Sequence, residues 1–198
     1  MPSSRTTQRN PRTPAAEVRH ALIAAGRRIL ERGGTAALTV RAVASEAGVA
    51  PMGVYNHFDG KDGLLDAVVT DGFAEFGQAV ATTDSDARER LLNSGRAYRR
   101  FALDNPNLYE LMFSTECQAD EEVAANAFLV FTDVICYGQA AGIIRTGTPD
   151  ELAFQAWSAV HGAVGLELAK SHPPSLSAEA EFEGILAFTA RGLAPTPD

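Results

Sequence analysis

The sequence predicts an all-α fold, with a three-helix N-terminal head followed by a bundle of about six helices. Three observations predict it. Apolar residues recur at three- and four-residue spacing through most of the chain beyond residue 15. Capping residues, Pro and Gly mark where successive helices start and stop. Alternating apolar–polar runs of the strand type are scarce, and no repeat of solenoid period is present.

Residues 1–14, MPSSRTTQRNPRTP, lack apolar periodicity and read as a disordered arm. They have no apolar core and so do not read as a secretory signal. Val18, Leu22, Ile23, Ala25, Ile29 and Leu30 give an amphipathic helix over 15–32, stopped by Gly33-Gly34. Thr39 is the expected N-cap of a short helix over 40–47 that ends at Gly48. A third short helix covers 50–57, with Pro51 accommodated in its first turn. After the Asp59-Gly60 break a fourth helix runs from Lys61 to about Ala81. Five more follow at about 85–104, 106–114, 119–143, 149–170 and 178–192. Asn105 is read as a cap ahead of Pro106, and Thr148-Pro149-Asp150-Glu151 as a capping box. The expected domains are an arm over 1–14, a head over 15–60 and a body over 61–198.

With 198 residues, 45% hydrophobic and 21% charged, the composition is that of a globular protein. Gly, His or charged residues interrupt the longest apolar stretches before they reach the ~20 residues of a membrane span, so no membrane partner is expected. Cys117 and Cys136 are too few for a disulfide framework, and four scattered His residues make no metal site. No metal, cofactor or catalytic residue is expected, and a cytoplasmic location follows by default. The net charge of −8 hides an asymmetry. Residues 1–62 carry nine basic and five acidic groups, and residues 63–198 carry eight basic and twenty acidic. A basic head on an acidic body fits a polyanion-binding surface attached to a domain that stays off it.

Thr39 to Phe58, TVRAVASEAGVAPMGVYNHF, carries the sharpest pattern. A helix-turn-helix needs a small residue where its helices cross, which Ala44 supplies. It also needs a residue that accepts a left-handed turn, which Gly48 supplies four positions later. Val40, Val43, Ala47, Val49 and Val54 fall where the motif packs inward. A plain helical hairpin would use similar residues. The short helices, the basic setting and the polar aromatic end of the second helix distinguish the two.

That end, Tyr55-Asn56-His57-Phe58 followed by Asp59-Gly60-Lys61, makes the chain resemble the tetracycline-repressor (TetR) family of regulators. Thr39-Val40, Ala47-Gly48, Tyr55-x-His57-Phe58, Lys61 and Leu64-Leu65 match the family hallmark without gaps over about 18–68. The resemblance implies that Thr39, Tyr55, His57 and Lys61 hold DNA phosphates. His57 could equally satisfy an internal hydrogen bond, and Val54 and Phe58 read as packing residues. Arg41 is the best candidate for a guanine edge or a phosphate. Pro51 and Met52 could touch thymine methyls, Gly53 would allow close backbone approach, and the same helix also offers Asn56. Ala50 and Val54 stand where the family often has Ser or Thr, which leaves the operator sequence open. Arg5, Arg9 and Arg12 are either a minor-groove arm or an idle tail.

Further on, Tyr98-Arg99-Arg100-Phe101-Ala102 and Asn105 to Phe113, with Trp157-x-x-x-His161-Gly162, resemble one subgroup of that family. The resemblance implies a small-molecule cavity among the middle helices and pairing of the last two long helices with a second copy. Candidate lining residues are Tyr98, Phe101, Tyr109, Met112, Phe113, Phe128, Phe131, Cys136, Trp157 and His161, each of which reads as core more readily than as pocket. His161 is open between a polar anchor and a buried histidine holding its helix in register. The expected dimer face uses the small residues Ala153 to Ala169 of one helix with Ile185, Leu186, Phe188 and Thr189 of the next.

The expected function is a ligand-responsive regulator, acting as repressor. It binds a pseudo-palindromic double-stranded operator as a homodimer and is released by an apolar or aromatic small molecule. A helical enzyme lacks a nucleophile with its base. An architectural DNA binder would fit the weak base-reading helix but not the acidic body.

Overall fold

The computed structural model describes residues 14–171 and 173–196. Arg5, Arg9, Arg12 and all of the expected arm except Pro14 lie outside them. Among the described residues nine α-helices and no strand are present: α1 Ala15–Ala37, α2 Val40–Ala47, α3 Met52–His57, α4 Gly60–Val80, α5 Ala87–Asp104, α6 Pro106–Met112, α7 Glu121–Ala140, α8 Pro149–Leu168 and α9 Ala178–Leu193. The fold is all-α, as the periodicity predicts. The contacts divide the chain into two units, up to Leu64 and from Leu65 onward.

In the first unit α1 packs on α2 and α3. Its buried stripe includes Leu22, Ile23, Ala25, Ile29 and Leu30, the period-3.6 set read from the sequence apart from Val18, which is half-buried. Helical geometry breaks at Gly34, where φ is 66° and ψ −173°, and one more turn, Thr35–Ala37, follows before α2. The helix therefore stops where the glycine pair predicts, and the extra turn carries the chain to Leu38, which is fully buried.

In the second unit α5 packs on α6, α7, α8 and α9, α7 on α8, and α8 on α9. Ile135, Ile144, Leu152, Ala153 and Leu193 form one core cluster. Two bidentate ion pairs tie α5 to its neighbours: Arg99 to Glu167 on α8, at 2.7 and 2.6 Å, and Arg96 to Glu183 on α9, both at 2.8 Å. Glycines on α4 allow close crossings: a Cβ at Gly72 would stand 3.1 Å from Leu108 and Met112, and one at Gly77 would stand 3.3 Å from the Ala127 backbone.

Two expected caps are corrected. Asn105 makes no side-chain cap for α6; its Nδ2 instead donates to the Phe101 carbonyl, closing α5. Thr148 makes no side-chain cap bond to α8, so the capping box does not form. Pro149, at the first helical position, already holds the φ that turn requires. Helix α7 is the one described helix long and apolar enough to cross a membrane by length and composition. It carries Glu121, Glu122 and Asp133 and packs on α5 and α8 as a body helix.

Candidate functional site

The first candidate surface is built on α2 and α3. Thr39 Oγ1 accepts from the Ala42 amide at 3.2 Å and so caps α2, which leaves its hydroxyl proton free to donate outward. Ala44 is buried at the helix crossing, as that geometry demands. Gly48 has φ 69° and its amide closes onto the Ala44 and Ser45 carbonyls, so the turn is left-handed. Gly53 and Val54 then donate back to Ala50 and Pro51. This tight three-residue turn is why the regular helix begins at Met52 rather than at residue 50.

Burial sorts the candidates. Val54 and Phe58 are core residues. Thr39, Arg41, Pro51, Met52, Tyr55 and Asn56 are exposed, and Gly53, His57 and Lys61 are half-buried. Met52 at 64% and Tyr55 at 59% exposure are the only large apolar side chains exposed on the described head.

The head's cations are mostly occupied. Arg28 and Arg32 both bind Glu46, at 2.9 and 2.8 Å, and strap α1 to α2. The bond from Arg32, reinforced by that from Arg28, holds the Glu46 carboxyl down at about 2. Arg19 lies over the Phe58 ring. Lys61 Nζ donates to the Thr35 carbonyl at 3.2 Å, pinning the start of α4 and leaving two of its three donors. Arg41 makes no bond or ion pair to any described residue and stands beside Thr39 at the start of α2. His57 hydrogen-bonds to no described residue and contacts the Phe58 ring.

The second candidate site lies within the second unit. A cavity of about 410 Å³ is walled by Phe73 and Phe76 of α4, by Phe113 at the end of α6, by Ala124, Ala127, Phe128 and Phe131 of α7, and by Phe154 and Trp157 of α8. Its wall is almost wholly apolar. Four of the expected lining residues, Phe113, Phe128, Phe131 and Trp157, meet there. Phe73, Phe76 and Phe154 are lining residues that sequence reasoning missed. Tyr98, Phe101, Tyr109 and Met112 are buried and do not line it. Cys136 is exposed and does not line the cavity.

Against this cavity stands a polar cluster. Tyr98 Oη lies 2.8 Å from Tyr109 Oη and 2.7 Å from His161 Nδ1, and Tyr109 Oη lies 2.8 Å from the same Nδ1. Trp157 Nε1 donates to Tyr98 Oη at 3.1 Å. Burial pushes the Tyr98 phenol up to about 12, raises Tyr109 and lowers His161, so all three are neutral at physiological pH. One hydroxyl proton then satisfies the other hydroxyl, and the second satisfies Nδ1, with the histidine proton on Nε2. Protonating Nδ1 would remove the acceptor this closure needs. His161 packs on Phe113 at 4.8 Å between centroids, so the cluster backs the cavity wall. His161 is half-buried, its Nδ1 is shared by the two phenols, and its ring stands behind Phe113 of the lining.

Residues 22–68 match the family described as bacterial regulatory proteins, tetR family, and residues 91–189, half of the chain, match the tetracyclin repressor-like C-terminal domain. The chain belongs to the TetR family. It is 27% identical over 149 residues to an HTH-type transcriptional regulator of Mycobacterium tuberculosis, Rv1816, with 69% of this chain covered. The chain spans 63% of that relative's length. In structure it is similar to a protein of unknown function from Rhodococcus sp. RHA1 (TM-score 0.77, 26% identity, 96% of this chain and all of the other). A TetR family transcription regulator from Marinobacter aquaeolei VT8 shares the fold at 20% identity (TM-score 0.62, 90% and 96% covered). The two matched regions are thus the N-terminal and the C-terminal domains of a TetR-family regulator.

Proposed function

We propose that this regulator represses transcription by occupying a pseudo-palindromic operator as a homodimer in the cytoplasm, and that an apolar small molecule in the aromatic cavity releases it. The observation that carries the reading is the course of α4. It starts beside the helix-turn-helix, where Lys61 holds the Thr35 carbonyl, and it carries Phe73 and Phe76 into the cavity wall. A ligand that displaces those rings moves a helix with close glycine crossings at Gly72 and Gly77, and the strain reaches the head along that helix. By linkage, operator and ligand then weaken each other by the same factor, typically ~5–150-fold.

The contact roles follow from exposure and chemistry. Arg41, which has no partner among the described residues, reaches a guanine edge or a phosphate, Thr39, Tyr55, His57 and Lys61 serve phosphates, and Pro51, Met52, Gly53 and Asn56 face bases. Dimerisation is supported by the outer faces of α8 and α9, where Leu166 (58%) and Phe188 (64%) are exposed, with Leu176 of the intervening loop also exposed and Gly162 and Gly165 open on α8. A groove of about 340 Å³ runs between these helices. Ala153 and Leu186 belong to the subunit's own core instead. A second copy would cover this face and set two recognition helices about 34 Å apart.

The test is fluorescence anisotropy on DNA fragments flanking the coding region, with bulk competitor. One fragment should bind tightly in the presence of competitor, and Arg41→Ala and Tyr55→Ala should each weaken it without lowering thermal stability. Binding that disappears with competitor would instead favour an architectural DNA binder.

A further inference from the structure

Behind the aromatic cavity lies a second, smaller one of about 50 Å³, walled by aliphatic side chains that include Leu91, Val134, Ile135, Val160 and Leu186. The two share Phe131 and Trp157 as common wall. Their chemistries differ: the outer chamber is faced by rings, the inner by branched aliphatics and the small residues Gly95 and Ala156. The polar groups at the inner chamber are already engaged, since Ser94 donates to the Val80 carbonyl, Thr189 to the Ile185 carbonyl, and Tyr98 belongs to the histidine cluster. Neither chamber therefore offers an unpaired charge or a free donor to a polar ligand.

Resting on the reading that the aromatic cavity is the effector site, we propose that the effector is an uncharged aromatic molecule carrying a short unbranched alkyl tail. The ring occupies the outer chamber and the tail passes between Phe131 and Trp157 into the aliphatic annex. A flat ring matches walls that present mostly edges and faces of other rings. A methylene chain matches an annex too narrow for a second ring. The annex has room for about three or four carbons, at roughly one water-sized volume each. Its end is closed by Leu186 against Gly95, where a Cβ would stand 2.5 Å from Leu186 Cδ2. Tail length, rather than any hydrogen bond, is then the specificity element.

The sequence holds one tryptophan, and it stands in the shared wall, so its emission reports occupancy of either chamber. The experiment titrates the full chain with toluene, ethyl-, propyl-, butyl-, pentyl- and hexylbenzene, following Trp157 fluorescence. Affinity should rise about fourfold per added carbon as each methylene leaves water, then level off after about three or four carbons. Ala156→Leu, which fills the annex, should abolish the chain-length gain while toluene still binds. Gly95→Ala should shorten the gain from the opposite wall. Phe154→Ala, which touches only the outer chamber, should weaken every member while keeping the gain. Alkylbenzenes that bind with no dependence on chain length, or a gain that continues unbroken to hexylbenzene, would overturn the annex while leaving the aromatic site standing. Failure of every alkylbenzene and of naphthalene to change Trp157 emission would overturn the aromatic site itself, and the annex with it.

Discussion

Removing the hydroxyl of Tyr98 should cost more than removing that of Tyr109, although both are buried and bonded to the same histidine nitrogen. Tyr98→Phe keeps the ring and its packing against Phe76, 5.1 Å between centroids. It deletes the acceptor of the Trp157 indole N–H and one partner each of Tyr109 and His161. Tyr109 can still donate to Nδ1 at 2.8 Å, so the stranded group is the indole N–H. An unsatisfied buried donor costs about 1–3 kcal/mol, of which the half-buried indole draws the lower end, and a lost neutral hydrogen bond costs about 1 kcal/mol. Tyr98→Phe should therefore destabilise the body by about 2 kcal/mol. Tyr109→Phe leaves Tyr98 accepting from Trp157 and donating to His161, strands nothing, and should cost about 1 kcal/mol. Urea unfolding followed by Trp157 emission reads this unit directly, and Tyr98→Phe alone should also change the emission of the folded state. Equal costs, or a larger cost for Tyr109→Phe, would refute the role of the Tyr98 hydroxyl as sole acceptor of the Trp157 indole N–H.

Three further outcomes follow from the same geometry. The pKa of His161 is lowered from its ordinary 6.5 by burial, so the unfolded chain takes up its proton first; body stability should fall as pH drops through 6.5, with the loss complete below the folded-state pKa and reduced in His161→Gln. The Glu46 carboxyl, held at about 2 against an ordinary 4.5, contributes head stability that is fully present above pH 4.5 and lost as pH falls through about 2; circular-dichroism melts should show Glu46→Gln destabilising at pH 7 and much less so near pH 2. Gly48→Ala meets nothing within 4 Å yet must hold φ near 69°, so it should cost about 1–2 kcal/mol through backbone strain alone, and Gly48→Asn less.

What could be read in the sequence was local chemistry. Thr39 capping α2, Gly48 in the left-handed turn and Gly34 ending α1 all depend on the conformation of one or two residues, and each stood where its residue type predicts. Caps with rival partners were not readable. Asn105 is equally placed to close α5 or open α6, and the choice rests on the Phe101 carbonyl one turn back. Phe73, Phe76 and Phe154 sit at ordinary helical spacing and give no sign that they face a void, because the void is set by how α4, α7 and α8 pack. The Tyr98–Tyr109–His161 cluster joins residues up to 63 positions apart, beyond any local pattern. The charge asymmetry of the head was plain, but the straps from Arg28 and Arg32 to Glu46 reduce the free cations to fewer than composition implies.

The central claim is that two copies of this helix-turn-helix read two turns of one operator. Hydroxyl-radical footprinting of the competitor-resistant fragment, with the protein–DNA stoichiometry measured in parallel, tests it most directly. The account predicts two symmetric protected half-sites about 10 base pairs apart, centre to centre, or a multiple of that, occupied by an even number of chains and lost in Arg41→Ala. A single asymmetric footprint at one chain per site, or uniform protection without boundaries, would contradict it.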